Sequence, residues 1–505
     1  MTPRSVRSRL SILASFRGPS RVLHLTTLAF FLSFVVWFDM APFLVAIGKE
    51  LHLTKPQLVT LTLCNLALTV PARVLIGSLL DSLGPRRLFA GLLVLSVIPN
   101  TMFAMSHSFT MLVISRLMLG VVGAGFVVGI RMVSEWFPAQ DLGTAEGVYG
   151  GWGNFGSAAA ALALPGVATV IATGAGGWRW GIGIAGVAAA VYGVIYWFSV
   201  SDTPPGKEYA RPRRKGALPV SSPGAVWALV ALQLPVAGIL GVVAVRVHRV
   251  GVLSDVGLRV TFAVLAAYLI WQVSLILRVN AGVLRGEAPD HDYPFTPVVL
   301  LSLAYGVTFG AELAVVSLLP TLFATTFGLK IGAASAAGSA FAFTNLLSRP
   351  GGGLLSDLGR SRRRPVVVAL LGTAVSFFAL SYLDAAWPVA AGVMAVALAS
   401  IFVQGGNGAV FAMVPQIHKP VSGQIAGLAG SYGNIGGIAF SSILFFSGDD
   451  TRMLFLVIAG AALVVAIACR WLPGPSEEAP TAGTGPVEAA PVAVGAGRPM
   501  ATSVV

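Results

Sequence analysis

Residues 345–364 read NLLSRPGGGLLSDLGRSRRR and place one arginine, Arg349, inside an otherwise apolar segment. A charged side chain at the centre of a bilayer costs about 2.5–3.5 kcal/mol on insertion scales, so by default it marks a function. An echo lies near the start of the chain, where residues 65–87 read NLALTVPARVLIGSLLDSLGPRR. In each copy the arginine is followed by glycine four residues on and by aspartate eight residues on: Arg73, Gly77, Asp81 and Arg349, Gly353, Asp357. The residue numbers give both pairs an offset of 276, and a second echo, GWGNFG (151–156) with SYGNIG (431–436), has an offset of 280. A nearly constant offset makes the chain two parallel repeats with an insertion between them.

Composition sets the medium. The 505 residues are 56% hydrophobic and only 10% charged, with mean hydropathy +0.83, too little charge to cover a soluble globule of this size. Repeated apolar runs of about 20 residues read as transmembrane helices. The net charge of +13 gathers in alternate loops: Arg4, Arg7, Arg9, Arg17 and Arg21, then Arg86 and Arg87, then Lys207 to Lys215, then Arg360 to Arg364. That is a positive-inside pattern rather than a nucleic-acid patch, and it puts both termini in the cytoplasm. The first apolar run, 23–47, is too long for a signal peptide and no small-residue cleavage site follows it. Cys64 and Cys469 lie far apart with no metal-ligand spacing and read as buried thiols.

The expected organisation is a basic cytoplasmic N-terminus (1–22), a six-helix half (23–200), a basic cytoplasmic linker (201–222), two inserted helices (223–279), a second six-helix half (295–472) and a disordered cytoplasmic tail (473–505). Within the halves the spans fall near 23–47, 57–80, 87–105, 110–137, 144–171 and 179–200, then 295–321, 332–355, 365–384, 388–414, 421–446 and 453–472. With inserted segments near 224–245 and 257–278 the total is fourteen. The inserted pair carries a basic outer turn (Arg246, His248, Arg249, Arg259) on the wrong side for the charge rule. Two uncharged runs of that length are nevertheless hard to place in water, so they are expected to span and to pack on one flank.

Asn65, Thr69 and Arg73 share one helix face at i, i+4, i+8, as do Phe341, Asn345 and Arg349. Each arginine lies two turns, about 12 Å, from its aspartate. That is deep for the alternative reading of a snorkelling anchor. Two equivalent arginines should converge on the axis relating the repeats. At an effective dielectric of about 20, unit charges roughly 6 Å apart repel by about 2.8 kcal/mol. An anion between them removes that penalty, and the planar, forked guanidinium suits a small planar oxyanion. Elementary electrostatics therefore reaches an anion carrier without naming the anion. The second echo supplies Asn154 and Asn434, one amide in each of two Gly/Ala-rich helices, read as donors to an oxyanion or as interhelical glue.

Six helices, a basic linker, six more, and the DSLGPRR and DLGRSRRR turns resemble the major facilitator superfamily. The two glycine-asparagine-glycine stretches taken with the two arginines resemble the nitrate signatures of its nitrate/nitrite porter family. The resemblance implies an all-α membrane bundle that carries nitrate or nitrite by alternating access, as an exchanger or a proton symporter. It further implies a monomer in the plasma or inner membrane, with no cofactor and no enzymatic step. By resemblance Arg73 and Arg349 hold the anion, Phe126 and Phe309 wall it, Tyr305 donates its hydroxyl and Asn154 lies beside it. Asp81 and Asp357 become gating groups that latch the cytoplasmic face on neighbouring helix N-termini.

Coupling stays open at this level. No histidine lies in a helix core. Three acids are embedded, Asp39, Glu135 and Glu312. Arg116, in RLMLGVVG, is expected to pair with Asp39, either structurally or as a proton-sensitive pair, and Arg131 with Glu135 at i, i+4. Rival readings are a phosphate or organophosphate exchanger, which calls for further lysine or histidine at the cavity, and a nitrate-binding membrane sensor. An enzyme lacks paired acid/base groups, a metal-ligand cluster and a nucleophile with its base.

Overall fold

A computed structural model describes residues 15–171, 176–211, 216–359, 361–447 and 450–473. The expectations for the basic N-terminus before residue 15 and for a disordered tail beyond 473 lie outside the described residues. Among the described residues the helices make fourteen rods: α1 Gly18–Glu50, α2 Lys55–Leu83, α3 Pro85–Ala104, α4 Phe109–Trp136, α5 Ala139–Ile171, α6 Gly177–Ser199, α7 Pro223–Arg249, α8 Asp255–Val279, α9 Thr296–Phe327, α10 Ile331–Phe343 with Asn345–Leu358, α11 Arg363–Leu380, α12 Val389–Gln416, α13 Ser422–Phe446 and α14 Thr451–Trp471. Twelve of them are long and apolar enough to cross a membrane among the described residues. The broken, polar α10 and the Gly/Ser-rich α13 fall outside that count.

Local chemistry sets the ends. Thr54 and Gln57 form a capping box at the start of α2. Ser108, Ser222, Ser254 and Asp450 cap α4, α7, α8 and α14 with side-chain oxygens on N3 amides. Gly84, at φ +87°, turns α2 into α3 with Pro85 at the first helical position. Several rods are interrupted where the site lies. α1 breaks at Asp39–Met40, and α4 becomes 3-10 over Gly120–Ala124, where Gly123 lies against Thr69 and Trp37. Helices thus stand at the fourteen expected segments, with ends moved by a few residues and with internal breaks that hydropathy does not reveal.

The two repeats meet through glycine faces. α5 packs on α10, and α2 on α13. A Cβ built at Gly147 would lie 2.7 Å from the Arg349 carbonyl oxygen, and one at Gly427 would collide with that of Arg73. Close backbone approach of this kind admits only glycine. Likewise Gly310 of α9 lies against Gly436 of α13. The inserted helices stand to one side, α7 resting on α2 and α13, with the Tyr432 hydroxyl donating to the Leu232 carbonyl at 3.0 Å. α8 is largely exposed and apolar.

Candidate functional site

Arg73 and Arg349 converge as their repeat positions require. Arg73 is fully buried and Arg349 is 1% exposed. Their guanidinium carbons lie 5.3 and 5.2 Å from the centre of the same Phe126 ring, and 5.4 and 5.9 Å from that of Phe309. Both cations therefore sit on one pair of aromatic faces, an arrangement that offsets part of the cost of burying charge.

Their hydrogen bonds leave one group free on each. Arg73 donates through Nε to Gly123 O at 3.1 Å and through Nη1 to Gly430 O at 2.6 Å. The Asn434 amide, turned with its oxygen toward Arg73, accepts from Nε at 3.2 Å and Nη1 at 2.9 Å. Arg349 Nη2 donates to the Tyr305 hydroxyl at 3.2 Å, and Nη1 lies 3.9 Å from Glu312. Arg73 Nη2 and Arg349 Nη1 have no hydrogen-bond partner. A buried unpaired N–H on a cation is costly, and here two of them stand by the same aromatic pair, where an acceptor could satisfy both.

The ring of Tyr305 stacks on Phe309 (4.9 Å, 5°) and on Phe126 (5.8 Å, 4°), and Phe411 meets both Tyr305 and Phe126 edge-on. Tyr305 was expected to contribute its hydroxyl; in this structure its ring also lies in the aromatic stack that Phe126 and Phe309 were expected to form as walls.

The Asn154 amide makes a bond between helices, the alternative expected beside donation to an oxyanion. Instead of facing an empty position, Asn154 donates to Glu312 at 3.4 Å, joined by Asn345 at 3.0 Å and Asn407 at 2.8 Å. The amides of Asn154 and Asn434 thus position the charged groups of the site. Sequence reading missed Asn407 and Gln404, which sit in an apolar helix without a repeat partner to draw attention to them.

Asp39 pairs with Arg116 at 2.7 Å, both fully buried, and Arg116 also lies 3.8 Å from the centre of the Phe103 ring. Arg131 pairs with Glu135 at 3.1 Å. The acids expected to latch one face accept main-chain N–H groups across the repeats. Asp81 takes Gly423 and Gln424, each at 3.0 Å, at the start of α13. Asp357 takes Gly143 at 3.0 Å and Thr144 at 2.7 Å, near the start of α5, with Arg362 at 3.3 Å. Close by, Arg131 donates to Tyr209 and Ala210 of the linker and to Lys419 and Ser422 of the other half. Glu135 also holds Lys207 at 2.6 Å. Desolvation pushes the Lys419 ammonium, in the loop before α13, down to about 8 in spite of the nearby Glu135, and Lys207 and Arg131 add to the shift.

The count of embedded acids requires correction. Besides Asp39, Glu135 and Glu312, the structure buries Asp81 on α2 and both Asp141 and Glu146 on α5, the last two 1% exposed. The expected start of that span at 144 placed Glu146 at a helix end, whereas α5 begins at Ala139.

A bundle of two six-helix repeats around a pair of like-placed cations is the build of a membrane carrier, and the chain belongs to the Major Facilitator Superfamily, whose sequence profile matches residues 26–287 and 301–502. Among solved structures, the proton:xylose symporter XylE has a TM-score of 0.60 at 15% identity (90% of this chain, 97% of that one). The human organic anion transporter MFSD10 has 0.59 at 14% identity (90% and 100%). Likeness at that identity speaks for the fold alone. Two relatives are closer, each called nitrate/nitrite transporter NrtP: one from Picosynechococcus sp. is 42% identical over 90% of this chain and 93% of its own. The other, from Nostoc punctiforme, is 42% identical over 91% and 93%. The high-affinity nitrate transporter 2.3 of Oryza sativa subsp. japonica is 27% identical over 87% and 75%. Within the superfamily, the chain is a member of the nitrate/nitrite porter family.

Proposed function

We propose that the chain carries nitrate and nitrite across a cell membrane by alternating access, with no covalent chemistry. The observation that carries this reading is the pair of guanidiniums over Phe126 and Phe309, each with one N–H group unpaired. A planar anion fits flat between aromatic faces while its edge oxygens accept from both arginines. Tyr305 donates its hydroxyl to the anion, the hydroxyl oxygen being held by Arg349 Nη2. Asn154 and Asn434 serve the same anion by fixing Glu312 and Arg73.

The Asp81 and Asp357 latches close the cytoplasmic face and release when the repeats rock apart. On this reading the positive-inside loops set both termini in the cytoplasm, α7 and α8 cross the bilayer on the flank formed by α2 and α13, and the unit is a monomer. The relatives named nitrate/nitrite transporters support the substrate class.

Counterflow in proteoliposomes tests the reading. Vesicles loaded with nitrite should take up labelled nitrate, and vesicles loaded with phosphate should not. Phosphate-driven uptake would instead identify a broader anion carrier, and no counterflow with either anion would favour a sensor. Exchange needs only a loaded carrier that reorients; symport needs, in addition, a group that takes a proton.

A further inference from the structure

We propose that Glu146 is the proton-carrying group of this carrier, moving one proton with each anion. The proposal rests on the nitrate and nitrite reading above. Six acids are buried in the rods among the described residues, and all but Glu146 are engaged: Asp81 in its contact with α13, Asp141 near the start of α5, and three more nearer the site. Asp39 is held by Arg116, and Glu135 by Arg131 and Lys207. Glu312 receives three amide N–H groups, donors that match the acceptor-only ionised carboxylate. Glu146 is equally buried, yet neither of its oxygens has a hydrogen-bond partner. An isolated buried carboxylate is tolerated only beside a cation or as the neutral acid.

The cation beside it is Arg349. Glu146 lies one turn, about 5.4 Å, before Gly150 on α5, and a Cβ at Gly150 would meet Arg349 Nε at 2.5 Å. It also lies one turn before Tyr149, whose hydroxyl donates to the Gly125 and Phe126 carbonyls. The elements packed on this part of α5 are α10, α1, α12 and α4. α10 supplies Arg349 and, at its far end, Asp357, which is engaged with Gly143 and Thr144. α12 has no ionisable side chain over Val389–Met413. α1 has Arg21 and His24 near its start, the latter bonded to Ser15. α4 has Arg131 and Glu135, bound to each other. On α5 itself stand Tyr149 and the buried Asp141. The groups that act electrostatically on Glu146 are Arg349 and Tyr149.

The repeat shows that packing does not demand an acid here. At the offset of 280, Gly143, Gly147, Gly150 and Asn154 correspond to Gly423, Gly427, Gly430 and Asn434, but Glu146 corresponds to Ala426. The helix that packs on Arg73 therefore carries alanine where the helix that packs on Arg349 carries a carboxylate.

These relations yield a cycle. In the empty carrier, ionised Glu146 offsets Arg349, so the unloaded site can reorient. When an anion takes the free N–H of Arg349, Glu146 loses its counter-charge and accepts a proton from water on the side then open. Release of the anion restores the field of Arg349, and the proton leaves on the opposite side. One anion and one proton cross together, with no net charge moved.

Proteoliposomes carrying the full chain test this. With wild type, an acid-outside gradient of one pH unit should sustain up to about tenfold nitrate accumulation, unaffected by a potassium diffusion potential. E146Q should lose accumulation and keep nitrite-loaded nitrate counterflow, while E146D should accumulate again. As a measurement independent of any variant, nitrate added to weakly buffered purified wild type should take up one proton per chain. Wild-type counterflow without proton uptake, or accumulation by E146Q at the wild-type level, overturns the role of Glu146 and leaves the transport reading intact. Loss of wild-type counterflow overturns the transport reading itself.

Discussion

Replacing Arg349 by lysine keeps its charge and removes its fork. In the wild type, Nη2 serves the Tyr305 hydroxyl at 3.2 Å, while Nη1 remains unpaired and available to the anion. A lysine offers one compact ammonium, so either Tyr305 or the anion loses its donor. A hydrogen bond to a charged group is worth about 1.5–3 kcal/mol, and about 1.4 kcal/mol is tenfold. The half-saturating nitrate concentration of R349K should therefore rise roughly 10- to 150-fold. The amount of folded protein should hold, because a cation still stands opposite Glu312. Glutamine at this position is a poorer probe, since it strands the Glu312 carboxylate, a loss of about 3–5 kcal/mol for a broken buried pair. The assay is the initial rate of labelled nitrate counterflow into nitrite-loaded vesicles, at matched protein, for wild type, R349K, R73K and the double variant. The two single effects should be less than additive when combined, because both arginines address one ligand. An unchanged half-saturating concentration in both single variants would refute the forked-receptor reasoning.

G150A should impair transport through overpacking, because its Cβ would lie 2.5 Å from Arg349 Nε, a strain of about 1–3 kcal/mol. G166A on the same helix, where a Cβ meets nothing within 4 Å, should be silent in the same uptake assay. D39N leaves the buried Arg116 unpaired and should destabilise the purified protein by about 3–5 kcal/mol, read as a lower melting temperature in detergent. If the pH profile of its residual transport matches the wild type, the Asp39–Arg116 pair has no proton role. Lys419 has a folded-state proton affinity lowered to about 8 from 10.5. The unfolded chain therefore binds more protons between those values, and stability rises with pH there. Wild-type stability should gain on K419Q as pH goes from 8 to 10, followed by thermal unfolding.

Much of the site was legible because it repeats. The offset shared by Arg73 and Arg349, and by Asp81 and Asp357, announced convergent cations and paired latches without any knowledge of contacts. What the repeat does not carry stayed hidden. Glu146 has no counterpart in the second half, and its glycine-rich surroundings do not distinguish a helix end from a helix interior. Asn407 acts through its distance to Glu312, which no spacing encodes. The stacking of Tyr305 on Phe126 and Phe309 depends on how α4 and α9 approach, a matter of tertiary geometry. Hydropathy located the rods but not the break after Asp39, where Pro42 follows in a 3-10 turn, nor the one at Gly120–Ala124, where the main chain closely approaches α2.

Asp357 also takes the Thr144 hydroxyl at 2.9 Å and Arg362 at 3.3 Å, but the grip common to Asp81 and Asp357 is on peptide N–H groups. Every residue except proline offers that donor, so changes of side-chain chemistry at positions 143, 144, 423 or 424 leave the bond itself available. The limit there is bulk: a methyl group at Gly423 would come within 2.5 Å of Asp81 Oδ1. If these contacts gate the carrier as proposed, closure tolerates most substitution on the donating helices, and loss-of-closure variants should concentrate at the two aspartates, at Thr144 and at side chains that grow into them.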